Sequence, residues 1–335
     1  MGSRGGNRRP GRALIALAVL VILGAAVYAA GRLIEGEQAP EQRSQMTEGF
    51  GRYEEMIHGG KTWYKKTGVT TILLMGIDRD TTLPQEGFRD GGQADFIMLL
   101  VIDRDTKTVR QLQIERDTVA RVHVLTITGR EGGYRDMQIC LSHAYGTSQA
   151  ECVENALEAV SHYLDNLKVD LYMQVDYSAV NIINDLLGGV TVTVEDDLSS
   201  VDPAMTPGTT LTLHGNQAEA FVRARMTVGD GTNASRQIRQ RAWLSGATEL
   251  LEEKARADTG FMNTLMEALG NRMITNAGQG RLINEFNAAI GFTRTPVEQI
   301  PGEYGVGRDG FVEYYTAAED VTEWVLDALY RPAEE

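Results

Sequence analysis

The fold of this chain depends first on the stretch Thr70-Thr71-Ile72-Leu73-Leu74-Met75-Gly76-Ile77, an apolar, β-prone run that ends at Asp78. A second apolar run extends from Asp95 to Ile102, and a turn at Asp103-Arg104-Asp105 separates it from a third run, Val109 to Ile114. Short apolar runs that are bounded by turn residues are typical of strands buried inside a sheet. The sequence therefore predicts one buried strand followed by a β-hairpin.

Strand-like and helix-like segments alternate along the rest of the chain, which predicts an α/β fold. Alternating apolar residues predict strands, and apolar residues three or four apart predict helices. The predicted strands cover residues 119–128, 169–175, 190–194 and 209–213. Gly132-Gly133 follows the predicted end of the first of these strands. The predicted helices cover residues 150–164, 177–187, 216–224, 236–257, 261–276, 280–290 and 317–330.

The N-terminus predicts a membrane anchor. Four arginines without an acidic residue precede an uncharged apolar segment at residues 13–30; they are Arg4, Arg8, Arg9 and Arg12. As a helix that segment is about 27 Å long, enough to span the hydrocarbon core. A cleaved secretory signal is the alternative, although its apolar region is usually shorter, about 7–15 residues. The positive-inside rule then predicts a cytoplasmic tail at residues 1–12 and an exported remainder in a single-pass membrane protein.

Residues 31–68 are polar and are predicted to be an extracytoplasmic linker with one short helix near residues 44–58. A catalytic domain at 69–330 and a tail at 331–335 are predicted to follow.

Composition excludes several classes of protein. The net charge of −14 disfavours nucleic acid as a partner, because binding a polyanion requires a basic surface. Only two cysteines are present, which excludes a disulfide-rich scaffold. The chain also has neither a G-x-S-x-G elbow nor a Walker-type phosphate loop.

Polar clusters follow the apolar runs and carry the chemistry. The basic ones contain Arg116, Arg223, Arg225, Arg236 and Arg239, with Gln240 next to the last. Guanidinium groups suit phosphate oxygens, because they bind in a bidentate manner and stay protonated. Asp78 and Asp95 each adjoin an apolar strand and could hold Mg²⁺ together with phosphate oxygens. Surface salt bridges for the arginines, and turn or capping roles for the aspartates, are the structural alternatives.

In their order along the chain, these clusters resemble the motifs of the LytR-CpsA-Psr family of cell-envelope glycopolymer transferases. The similar segments are residues 71–78, 94–99, Ile114-Glu115-Arg116-Asp117-Thr118, His143-Ala144-Tyr145-Gly146, 186–190, 215–225 and 236–241. The resemblance covers about residues 69–330. It implies a central mixed β-sheet flanked by helices, with one transmembrane helix before it.

The resemblance also implies an activity. Members of this family move a phosphate-linked glycopolymer, such as teichoic acid or capsule, from a polyprenyl-pyrophosphate carrier to peptidoglycan at the membrane. By motif position, Asp78 and Asp95 would bind Mg²⁺ or Mn²⁺. Arg116, Arg223, Arg225, Arg236 and Arg239 would grip the pyrophosphate with help from Gln240. Asp117 would act as the general base for the acceptor hydroxyl or would orient Arg116, which makes Arg116 and Asp117 the catalytic candidates.

Three positions depart from the family pattern. Gln93 stands where the family usually carries arginine, and Phe96 stands in place of threonine. Glu115 replaces the usual proline and adds a negative charge beside Arg116. A phosphate contact is therefore missing unless Arg79 or Arg89 supplies it.

Two alternative functions remain open from the sequence. The same site would serve a hydrolase that cleaves polyprenyl pyrophosphate with water, and the Gln93 departure would suit a non-catalytic, attenuator-like protein that binds envelope lipid intermediates. In an oxidising exterior, Cys140 and Cys152 could also close a short loop as a disulfide.

Overall fold

The computed structural model describes residues 55–80, 90–126, 128–224, 233–258, 260–277 and 291–333, together with positions 281, 285, 288 and 289. Its centre is a six-stranded sheet in the order β11-β8-β3-β4-β5-β12. The strands of this sheet are β3 (Val69–Ile77), β4 (Ala94–Asp103), β5 (Thr108–Ile114), β8 (Leu171–Asp176), β11 (Met273–Thr275) and β12 (Thr293–Glu298). Strand β3 pairs antiparallel with β4 and parallel with β8, so the sheet is mixed, as predicted.

The other described elements surround this sheet. The helices are α1 (Gln149–Tyr163), α2 (Ser178–Leu187), α3 (Gln217–Arg223), α4 (Asn233–Ala257), α5 (Phe261–Leu269) and α6 (Ala318–Leu329). The outer strands are β1 (Glu55–His58), β2 (Lys61–Lys65), β6 (Val119–Leu125), β7 (Glu131–Gln138), β9 (Thr191–Thr193), β10 (Thr210–Thr212), β13 (Gly302–Val306), β14 (Val312–Thr316) and β15 (Tyr330–Pro332). A 3-10 helix, Ile139–Ala144, connects β7 to the segment before α1.

The central strands are apolar throughout because both faces of the sheet are covered. Ile72 and Leu74 of β3 belong to the core that α2, α4 and α5 share with one face. Leu73 and Met75 belong to the core on the other face, with α1 and α6. A strand buried on both sides reads as a continuous apolar run rather than an alternating one, which explains the composition of residues 70–77.

The predicted strand and hairpin are confirmed, but the domain limits need correction. Strands β1 and β2 occupy part of the predicted linker, and β2 pairs with β15, which covers two residues of the predicted tail. Gly132, predicted to follow the end of a strand, lies inside strand β7. The helix predicted at 261–276 ends at Leu269, and β11 follows it. Most of the helix predicted at 280–290 lies outside the described residues.

The predicted anchor at residues 13–30 and the tail before it also lie outside the described residues. Within the part of the chain that the structure describes, no helix combines the length and apolar character that a membrane span requires.

Candidate functional site

The sheet topology brings the candidate residues to one edge. Because β4 runs antiparallel to both β3 and β5, its first residues lie beside the last residues of those two strands. Ala94 pairs with Ile77, and Ile97 pairs with Ile114. Asp78, Asp95 and Arg116, which are distant in sequence, are therefore neighbours at this edge.

Asp95 lies between two buried guanidinium groups. Its Oδ1 is 2.8 Å from Nε of Arg116, and its Oδ2 accepts a hydrogen bond of 2.6 Å from Arg236. Arg116 is 7% exposed and Arg236 is 4% exposed, so water screens these charges little. The structure thus joins two predicted arginines to one predicted aspartate in a charge network beneath the edge.

Asp117 is held by the same network. Its Oδ1 accepts hydrogen bonds of 2.9 Å from Arg116 and 2.9 Å from the side-chain amide of Gln138. The carboxylate is almost fully buried. Of the two roles predicted for Asp117, this geometry supports the orientation of Arg116.

Asp78 is the carboxylate that faces outward from this network. Its Oδ1 accepts a hydrogen bond of 2.5 Å from the backbone N–H of Gln93. Burial raises the pKa of Asp78 and the nearby charge of Asp95 adds to the rise, while that backbone hydrogen bond and Arg116 lower it. The net result is a pKa above 3.8, chiefly because burial removes this carboxylate from water.

The loop that carries this hydrogen bond depends on Gly92 and on His143. Gly92 has φ +76°, and a Cβ there would lie 2.7 Å from Cβ of Arg79 and 3.0 Å from Oδ1 of Asp78. One ring nitrogen of His143 is 3.2 Å from the Gly92 carbonyl oxygen, and the other is 2.7 Å from the side-chain amide of Gln174. Burial lowers the pKa of His143, and its contacts with Gly92 and Gln174 occupy both ring nitrogens, so this histidine holds the loop in place.

The departures from the family pattern have visible consequences. The side-chain oxygen of Gln93 accepts a hydrogen bond from Arg116, so this residue contacts the network without adding a charge. Phe96 lines the apolar cavity described below. Arg79 forms an ion pair of 3.4 Å with Asp90, and Arg89 lies outside the described residues.

Arg223 is the accessible cation of the site. Its side chain is 49% exposed, it pairs with Glu219 at 2.6 Å, and its guanidinium lies 5.2 Å from the ring centre of Tyr177. Its charge also acts on Asp78 and lowers the pKa of that carboxyl. Arg225, predicted beside it, lies outside the described residues.

Arg239 needs a different interpretation from the predicted one. Its guanidinium donates 3.1 Å to the carbonyl of Phe221, also donates to the carbonyl of Ala224, and pairs with Asp196. The side chain is 2% exposed. Through these contacts Arg239 of α4 fixes the C-terminal end of α3, the segment that carries Arg223. Its guanidinium is therefore engaged within the protein and does not point to a ligand.

An apolar cavity of about 90 Å³ opens beside these charges. It lies between one face of the sheet and the helices α2, α4 and α5, and its lining includes Phe96, Met173, Ile183, Trp243 and Leu244. Asp176, Tyr177 and Gln240 also line it, and the Gln240 amide donates 3.4 Å to the Tyr177 hydroxyl. The predicted Gln240 therefore lies where the apolar cavity meets the charged edge.

Glu115, Gln237 and Tyr304 form a second cluster that the sequence did not predict. Glu115 is 1% exposed and accepts a hydrogen bond of 2.5 Å from the Gln237 amide. The Tyr304 hydroxyl of β13 also bonds to Glu115. The sequence marked Glu115 only as an acid in place of the family's usual proline. Its partners Gln237 and Tyr304 belong to two elements that are remote in sequence.

The predicted disulfide does not form in the structure. Cys140 and Cys152 are both buried thiols. The sulfur of Cys140 lies 3.9 Å from the Gln93 side-chain oxygen, whereas that of Cys152 packs against the backbone of Gly91 and Gly146. The two thiols face different surroundings, because the 3-10 helix directs one toward the charge network and α1 directs the other toward the glycine loops.

Asp78 and Asp95 would be the protein ligands of a Mg²⁺ ion that is completed by phosphate, and the ion would share Asp95 with Arg116 and Arg236, which contact its two oxygens. Among the described residues, no group of three or more acidic, histidine or cysteine side chains could enclose a metal. Mg²⁺ in phosphate-transfer sites typically uses one or two carboxylates and takes its other ligands from substrate and water. Burial raises the pKa of Asp78 and the charge of Asp95 adds to the rise, and a bound cation would favour the charged form of both carboxylates.

The LytR_cpsA_psr family profile matches residues 30–328 of the chain. Among curated proteins, the chain is 30% identical over 178 residues to the Bacillus licheniformis protein named polyisoprenyl-teichoic acid–peptidoglycan teichoic acid transferase TagU, covering 52% of this chain and 50% of that protein. It is 28% identical over 183 residues to biofilm regulatory protein A of Streptococcus mutans, covering 52% and 42% respectively. The aligned part thus spans about half the length of these relatives.

Solved structures share the fold. The structure of TagT bound to LI-WTA superimposes with a TM-score of 0.57 at 21% identity, covering 78% of this chain and 90% of the other. At that identity the likeness establishes the α/β architecture and the mixed central sheet.

Proposed function

Since the chain belongs to the LytR-CpsA-Psr family, we propose that it transfers a glycopolymer from a polyprenyl-pyrophosphate carrier to peptidoglycan. The observation that carries the proposal is the proximity of two unlike features: a charged edge with guanidinium groups and carboxylates, and an apolar cavity whose lining includes Tyr177 and Gln240. A prenyl chain needs the second and a pyrophosphate needs the first. A lipid-linked pyrophosphate is the ligand class that needs both in contact.

In this proposal the exposed Arg223 makes the first contact with the pyrophosphate. Its guanidinium lies over the ring of Tyr177, which also lines the apolar cavity. Arg116 and Arg236 lie deeper and are held ready by Asp95. Because their orientation is fixed before the ligand arrives, they can stabilise charge that develops on the leaving phosphate without reorganisation.

The reaction forms one phosphorus–oxygen bond and breaks another. The acceptor hydroxyl oxygen attacks the phosphorus that carries the glycan, and the bond to the bridging oxygen breaks to leave polyprenyl phosphate. The hydroxyl proton leaves to solvent or to a neighbouring carboxylate. Asp117 keeps Arg116 directed at this centre. A Mg²⁺ ion held by Asp78 and Asp95 would supply further positive charge to the phosphate oxygens.

The proposed place of action is the outer face of the cell membrane, with residues 1–12 inside and residues 13–30 as the single span. The support is the distribution of arginines before the apolar segment. An enzyme reporter that works only outside the membrane, fused after Glu335, should be active. Activity of only a cytoplasmic reporter at that position would reject this topology.

The transfer itself can be measured with the full chain in detergent, a radiolabelled polyprenyl-pyrophosphate-linked glycan and peptidoglycan fragments. We expect label to become bound to peptidoglycan in a Mg²⁺-dependent manner. Arg223→Ala should lower the rate, whereas Arg121→Ala should not, since Arg121 is exposed and stacks on Tyr134 in a different hairpin.

Two outcomes would replace this proposal with an alternative. Release of soluble labelled glycan at the same rate with and without peptidoglycan would indicate a hydrolase. Binding of the donor without any turnover would indicate a non-catalytic lipid-intermediate binder.

A further inference from the structure

The hairpin formed by β13 and β14 places an aromatic face beside the catalytic segment. In this hairpin Tyr304 pairs with Tyr314, and Val306 pairs with Val312, so these four side chains share one face. The two tyrosine rings lie 5.0 Å apart. Tyr314 is buried, Tyr304 is half exposed and Val306 is 73% exposed, so this face grades from the protein interior to solvent.

The buried end of that face is fixed to the residues that carry the chemistry. The backbone N–H of Tyr314 donates 2.8 Å to the carbonyl of Asp117. The Gln138 amide bridges the Asp117 carboxylate and the carbonyl of Val312, at 2.9 Å and 2.6 Å. The Tyr304 hydroxyl bonds to Glu115. Three separate contacts therefore hold the hairpin against Glu115–Asp117.

Charge decides between the two ligand classes that an exposed aromatic face could take. The hairpin and its turn carry Glu303, Asp309 and Glu313 against the single cation Arg308. An acidic hairpin on an acidic chain is repelled by an anionic lipid surface, which attracts basic segments instead. A neutral sugar ring has no such penalty, and its apolar C–H face suits a rigid aromatic side chain.

We propose that the Tyr304–Val306–Val312–Tyr314 face is the docking platform for the glycan acceptor. The inference rests on the proposed transfer to peptidoglycan and adds where its acceptor binds. The acceptor then lies against the segment that carries Arg116.

The test uses an uncharged N-acetylglucosamine tetramer as the probe, the full chain in detergent, and two tyrosines of the same hairpin. Tyr315 lies on the opposite face and is 47% exposed, compared with 50% for Tyr304. We expect Tyr304→Ala to weaken binding of the tetramer roughly five- to tenfold, the size of one lost aromatic contact. Tyr315→Ala should leave binding unchanged, and Tyr304→Phe should weaken it less than Tyr304→Ala because the ring remains.

Equal effects of the two alanine variants would overturn the platform. So would a wild type that does not bind the tetramer while a prenyl pyrophosphate still raises its melting temperature; that result would leave the donor site standing. Vesicles of anionic lipid provide the third arm. Vesicle binding that Tyr304→Ala abolishes and Tyr315→Ala retains would assign this face to the membrane instead of the glycan.

Discussion

At the scale of single residues, Asp95 decides how the site is assembled. It forms ion pairs with two guanidinium groups that are buried beside each other, and each of its oxygens contacts one of them. A carboxylate in this position supports the fold as well as the chemistry. Asp78 is only partly buried and accepts one backbone hydrogen bond, so it contributes less to the fold.

Asp95→Ala should therefore destabilise the protein, whereas Asp78→Ala should not. Removing Asp95 takes a buried ionic partner from Arg236 and one from Arg116, which keeps Asp117. Loss of one partner of a buried pair costs about 3–5 kcal/mol. Denaturant unfolding of both variants and of the wild type measures the difference. Equal free energies of unfolding in the two variants would show that the network does not hold the edge together.

The raised pKa of Asp78 gives a pH dependence with a definite sign. The folded chain binds this proton more tightly than the unfolded chain, so the free energy of unfolding falls as the pH rises from 3.8 through the raised pKa. Asp78→Asn removes that loss of stability because the amide does not ionise, and its oxygen can still accept the hydrogen bond from Gln93. In the presence of a chelator, the variant should be more stable than the wild type at pH 7, and the difference should vanish below pH 3.8. A wild type that is the more stable one at pH 7 would contradict the account.

At the scale of elements, the loop between β3 and β4 determines where Asp78 points. Its backbone turns at Gly92, in a conformation that favours glycine and in a space that excludes a Cβ. Gly188, which ends α2 with φ +89°, provides a comparison because no atom lies within 4 Å of a Cβ placed there. Both glycines have a left-handed backbone conformation, but only at Gly92 would a side chain be crowded by neighbouring atoms.

Gly188→Ala should cost about 1–2 kcal/mol, the usual penalty for a left-handed backbone conformation with a side chain. Gly92→Ala should cost more, because Arg79 and Asp78 must also move. It should also reduce the rise in melting temperature that Mg²⁺ produces with pyrophosphate, which Gly188→Ala should preserve. Thermal melts with and without those two additives test both statements. Identical behaviour of the two variants would show that crowding at Gly92 affects neither stability nor the response to Mg²⁺ with pyrophosphate.

Elements differ in how well the sequence predicts them. Strands β3, β4 and β5 were predictable because burial on both faces requires an unbroken apolar run. Strand β7 is mostly exposed and contains Gly132 and Gly133, so its sequence resembles a turn. The contact of Tyr304 with Glu115 joins remote parts of the chain, and only the folded structure brings such residues together. The candidate arginines were predictable by type, but burial separated the accessible Arg223 from the internally bonded Arg239.

At the scale of the whole molecule, the account depends on two features acting as one site. The apolar cavity lies on the face of the sheet covered by α2, α4 and α5, and the charged edge lies beside it. Tyr177 and Gln240 connect them, and Arg223 lies over the Tyr177 ring. A ligand with a prenyl chain and a pyrophosphate should therefore gain from both features at once.

The most direct measurement compares the melting temperature of the full chain in detergent with farnesyl pyrophosphate, farnesol or inorganic pyrophosphate, each with Mg²⁺. The account predicts that farnesyl pyrophosphate stabilises the protein more than either fragment alone, since binding to the folded state raises its apparent stability. Arg223→Ala should remove most of that gain, and Arg121→Ala, the matched arginine stacked on Tyr134, should keep it. If inorganic pyrophosphate stabilises as well as farnesyl pyrophosphate, or if the two arginine variants respond alike, the cavity and the charged edge do not form one lipid-pyrophosphate site.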